Sequence, residues 1–171
     1  MRTKINNLFW LTISIIFIGC SQTKTNDKSK ELTMNFRASF CDPLNPKIIE
    51  LGKVQKDNIL EKFENTNWTE YLEKMNSAKD ENEIYYSPSL EIENSDIKHG
   101  LAISAVGNPD NYEFYISYKR PKKLKTFFGL KEKIDDNYVT DIQGQTKQDV
   151  IECLKALIRN DTDYLTNKIG Q

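Results

Sequence analysis

The chain has 171 residues, with 24 Lys or Arg against 25 Asp or Glu and a formal charge of −1. Apolar residues make up 38%, enough for one core in a single domain of ordinary size. The near-neutral, mildly acidic balance gives no electrostatic case for nucleic acid, and no nucleic-acid partner is expected.

The N-terminal stretch opens with Arg2 and Lys4, continues through an apolar run over residues 8–18 and closes on Gly19-Cys20. That run is shorter than the roughly 20 residues a helix needs to cross a bilayer. Its order of positive, apolar and small residues is that of an export signal. Phe17-Ile18-Gly19-Cys20 resembles the lipobox of bacterial lipoproteins, with Phe17 where that family usually has Leu. The resemblance implies a signal peptide over residues 1–19, cleaved so that Cys20 becomes the N-terminus and carries acyl chains such as palmitate on its sulfur and amine. Acyl chains contribute about 0.8 kcal/mol per buried CH₂, so several of them hold a protein on a membrane. The implied location is the bacterial cell envelope, lipid-anchored, facing the periplasm or the outer membrane. An ordinary signal peptide with a chance cysteine, or an uncleaved anchor, are the alternatives.

Residues 20–31 carry nothing apolar to bury beyond Cys20 and read as a flexible tether. A single domain is expected over residues 32–171. Met34, Phe36, Ala38 and Phe40 alternate with polar residues, the period of a half-buried strand. Asp42, Pro43, Asn45 and Pro46 then make a turn. Residues 57–78 read as a helix in two pieces, capped by Asp57 and interrupted at Asn65-Thr66-Asn67. Trp68, Tyr71, Leu72 and Met75 form a stripe expected in the core, and residues 79–83 a solvated connection.

Residues 84–120 read as an antiparallel meander. Tyr86, Pro88, Leu90 and Ile92 share one parity, and Asn94, Ser95 and Asp96 supply a turn. Residues 100–106 have a mixed pattern, expected to be buried on both faces. Gly107 to Asn111 make the next turn. Tyr112, Phe114, Ile116 and Tyr118 give the clearest alternation of the chain. Residues 138–142 are a further strand. A helix over residues 147–160 follows, with a capping box from Thr146 to Asp149. Its stripe is Val150, Ile151, Leu154, Leu157 and Ile158, with Cys153 at the edge. A last short turn carries Tyr164, Leu165 and Ile169. The order argues for an α+β fold, an antiparallel sheet of about four to five strands with helices packed on one face.

Little in the chain is equipped for catalysis, and no enzyme activity, metal or cofactor is expected. The one histidine, His99, precedes a strand and reads as a surface or turn residue. No glycine-rich phosphate loop or nucleophile elbow occurs. Glu91, Glu93, Glu113 and Asp141 are candidates for acid–base work only if a pair of them shares a cleft. Cys41 and Cys153 are candidates for a disulfide, with two buried, separate thiols as the alternative.

The sharpest local feature runs from Lys119 to Lys131. Lys119, Arg120, Lys122, Lys123 and Lys125 precede Phe127 and Phe128. Read as a loop, it contacts either an acidic protein partner or anionic lipid, or else is a solvated basic segment whose phenylalanines cover the core. Tyr85, Tyr86, Tyr115 and Trp68 are the rings available to line a groove for an envelope glycan or small ligand.

Tyr86-Ser87-Pro88-Ser89-Leu90-Glu91, the segment from Gly100 to Gly107, and Glu113 to Pro121 together resemble small bacterial immunity-type proteins, as does Thr140 to Thr146 with its following helix. The resemblance spans most of residues 84–169. It implies a lipid-tethered module that binds a toxin outside the cytoplasm. A glycan- or ligand-binding lipoprotein is the alternative, and a carboxylate-based hydrolase ranks last.

Overall fold

The structure, a computed structural model, describes residues 35–126 and 131–170. All of them belong to one compact unit, Thr33–Gln171. The signal peptide, Cys20, the tether, Phe127 and Phe128 lie outside the described residues.

Six strands form one antiparallel sheet in the order β2-β1-β3-β4-β5-β6. They are β1 (Phe36–Cys41), β2 (Ile49–Val54), β3 (Ser89–Asn94), β4 (His99–Asn108), β5 (Asn111–Thr126) and β6 (Lys131–Gln145). The helices are α1 (Ile59–Glu64), α2 (Trp68–Asn76), α3 (Lys147–Arg159) and α4 (Thr162–Ile169). The fold is therefore α+β, but with six strands instead of four to five. The additional strand is β2. Its period-two pattern is broken by a bulge opposite Ala38 and Ser39, where Gly52 takes φ +77°.

Alternation decides which residues enter the core. Phe36, Ala38 and Phe40 of β1 pair with Asn94, Ile92 and Leu90 of β3. Those continue to Leu101 and Ile103 of β4, then to Tyr118 and Ile116 of β5. Residues of this parity are buried and join the helices in a single hydrophobic cluster. The helical layer is uneven: α2, α3 and α4 lean on β4, β5 and β6, whereas β2 keeps all but Val54 exposed. Strand β4 buries Leu101, Ile103 and Ala105 on the helix side and, on the other parity, Gly100 alone. Ala102, Ser104 and Val106 are half-exposed, which corrects the expectation of burial on both faces.

Trp68 and Leu72 of α2 are buried, with Tyr71 and Met75 packed beside them. Trp68 stacks edge-on against Phe114, ring centroids 5.4 Å apart, and Phe63 lies 5.7 Å from Trp68. Asn67 caps α2 by accepting from the Glu70 N–H. Asp57 caps nothing; it sits in a 3-10 turn, Lys56–Asn58, that runs directly into α1. The Thr146–Asp149 capping box opens α3 as expected. Cys153 is at the centre of the α3 core face, not its edge, because Ala156 is buried there too.

Cys41 and Cys153 are both free, buried thiols, so no disulfide joins them. The geometry forbids it. Cys41 points to the sheet face away from the helices, where its Sγ approaches Glu91, while Cys153 belongs to the helix-side core. Burial pushes the Cys153 thiol up to about 11. Burial and then the Glu91 charge also raise Cys41. Neither is a ready nucleophile.

Candidate interaction surface

The second face of the sheet has no core packed on it. Pairing lines its residues up in two rows. One runs Arg37, Glu93, Gly100, Lys119, Val139; the other runs Ser39, Glu91, Ala102, Ser117, Asp141. The middle of each row is small, so the face is dished. The depression is about 480 Å³, and Arg37, Glu91, Glu93 and Lys119 stand around it.

Gly100 explains the central contact. With no side chain between them, Lys119 reaches across to Glu93 and forms an ion pair. Both partners remain more than a third exposed. Such a pair is worth about 0–1 kcal/mol for folding, so its charges remain available to a partner. Glu91 is held by Ser39, whose hydroxyl donates at 2.9 Å. Glu91 and Glu93 thus share the depression, Glu93 ion-paired with Lys119 and Glu91 hydrogen-bonded by Ser39. Among the described residues, no cluster of His, Cys, Asp and Glu is placed to hold a metal ion.

The basic segment expected as a loop is strand. Lys119 is the last β5 residue opposite β4, facing Gly100. Beyond it, β5 and β6 continue as a two-stranded ribbon with Lys122 facing Asp135 and Lys125 facing Glu132. Opposite charges directly across an antiparallel pair favour that register. Pro121 sits at a register shift between Arg120 and Lys122, where its missing N–H costs no ladder bond.

Arg120 is not a contact residue. It is 6% exposed, donates to Thr140 Oγ1 at 2.8 Å, and lies over the rings of Tyr118 and Tyr138. Lys122 also lies over Tyr138, 4.0 Å from the ring centre. Lys123 and Lys125 are exposed. Of the cationic candidates, Lys119 alone belongs to the dished face.

His99 is half-buried, with Nδ1 2.7 Å from the Tyr118 hydroxyl, so it is a packed strand residue and not a surface turn. Burial, aided by the Arg120 charge, lowers its pKa. The four rings named for a ligand groove are dispersed, with Tyr85 and Tyr86 together beside the Pro43–Pro46 turn and the other two elsewhere. Trp68 is in the core, Tyr115 has the parity of the dished face, and the Tyr86 hydroxyl donates to the Pro46 carbonyl. Nothing local in the sequence marks Arg37 or Gly100 as part of a surface. The outward parity of Glu91 and Glu93 was the available signal, but only the pairing register joins them to Lys119.

No protein family, characterised protein or solved structure matches the chain.

Proposed function

We propose that the chain is a bacterial envelope lipoprotein, anchored through acylated Cys20, whose domain binds another protein as a toxin-neutralising immunity protein does. The observation that supports this reading is the dished face with its two rows. Arg37, Glu93 and Lys119 alternate in charge over a floor of Gly100, Ala102 and Ser117. Alternating charge around a small-residue floor recognises a complementary protein surface and sets its register. With the helices gathered on the other side, the rows are free to meet a partner. The tether supplies reach from the lipid surface.

The test is protection. Cells producing the chain are challenged with a secreted toxin encoded beside its gene. Survival that depends on the chain supports the reading. Absence of any adjacent toxin gene, or killing that proceeds unchanged, contradicts it.

A further inference from the structure

We propose that the outer edge of the sheet pairs with the same edge of a second copy, β2 against β2, making a two-fold dimer with a continuous sheet. Strand β2 ends the sheet, with β1 as its only strand neighbour among the described residues. Exposed apolar side chains gather around it. Of the eight large hydrophobic residues exposed among the described ones, Leu44, Ile48, Ile49, Leu51 and Tyr85 lie in β2, in the turn before it, or beside that turn. A concentration of this kind marks an interaction edge.

The bulge makes the strand self-complementary. Ile49 and Val54 pair with Phe40 and Phe36, so both point to the helix side. Glu50 and Lys53 pair with Ser39 and Arg37, so both point to the dished face. In a regular strand, residues an odd number apart point to opposite faces. The bulge at Leu51 and Gly52 removes that conflict. A two-fold axis perpendicular to the sheet, placed between Leu51 and Gly52, sets Ile49 against Val54 of the second copy and Glu50 against its Lys53. Symmetry repeats both contacts, giving two apolar pairs and two ion pairs. Moving the register by one residue in either direction sets side chains against partners on the wrong face. Ile49 and Val54 also border a groove with Phe40 and Leu90, so the apolar pairs sit on an apolar floor.

Sedimentation of the full chain in a mild detergent tests this over about a hundredfold range of concentration. The protein mass is expected to rise from that of one chain towards twice that value. Lys53→Glu places two like-charge pairs at the interface and is expected to weaken dimerisation by about tenfold or more. The exchange Glu50→Lys with Lys53→Glu restores both ion pairs and is expected to restore the dimer. Unchanged circular dichroism shows that each variant still folds. A wild-type chain that stays monomeric throughout, a Lys53→Glu chain that dimerises like wild type, or a double exchange that fails to recover would each overturn the proposal. The bulge and charges would then serve only to blunt a free edge.

Discussion

Asp149 shows how much one side chain can organise. Its carboxylate accepts from the Thr146 N–H at 3.0 Å, closing the box that starts α3, and from Lys168 Nζ at 2.9 Å, tying α4 to α3. The Lys168 bond, followed by those from Thr146, lowers its pKa from 3.8 to about 2. A carboxylate held below its unfolded value stabilises the fold fully above that value. The contribution is lost as pH falls through 3.8 towards about 2. The side chain is 33% exposed, so solvent screens the pair. Asp149→Asn is therefore expected to cost about 1 kcal/mol near neutral pH. Urea unfolding at about pH 7 and about pH 3 checks this, because the gap between wild type and variant should narrow in acid. An equal gap at both would show that the charge contributes nothing.

At the level of elements, stability centres on the contact of α1 and α2 with the sheet. Phe63 is fully buried, with its ring 5.5 Å from Phe114 and 5.7 Å from Trp68. Phe63→Ala is expected to lose about 3–5 kcal/mol, whereas Ile134→Ala in the ribbon should change stability by less than about 0.5 kcal/mol. Ile134 is 59% exposed, which is the reason for the contrast. Denaturant midpoints of the two variants test it, and comparable losses would contradict the account. The same contrast governs what could be read from the sequence. Phe36 to Phe40 and Phe114 to Tyr118 alternate against a core, so β1 and β5 were legible. The pieces at Ile59 to Phe63 and Trp68 to Met75 repeat at helical spacing and were legible too. Strand β2 was not, because Gly52 and the bulge shift its parity. The ribbon does not show as strand in the sequence because Lys122 and Lys125 stand opposite Asp135 and Glu132 only through the β5–β6 register, and such pairing leaves no local pattern. The dished face was hidden for the same reason: Arg37, Gly100 and Lys119 are 63 and 19 positions apart and become neighbours only through β3 and β4.

For the molecule as a whole, the proposed lipid anchor sets location and the dished face sets binding. Among the described residues, no helix is long and apolar enough to cross a membrane. The proposed retention at the envelope rests on acylation of Cys20. Cys20→Ser is expected to shift the protein from the membrane fraction to the soluble fraction and to abolish labelling by a fatty-acid probe. Unchanged retention and labelling would defeat the lipid anchor without touching the binding face.

The most direct measurement for the central claim is the protection assay carried out with the dished face reversed. Arg37→Glu combined with Lys119→Glu changes two exposed charges and leaves the core untouched. The account predicts that wild-type chain protects cells from the adjacent toxin, and that the double variant, present at equal level on the membrane, loses at least about tenfold of that protection. Protection by the double variant equal to wild type would contradict it.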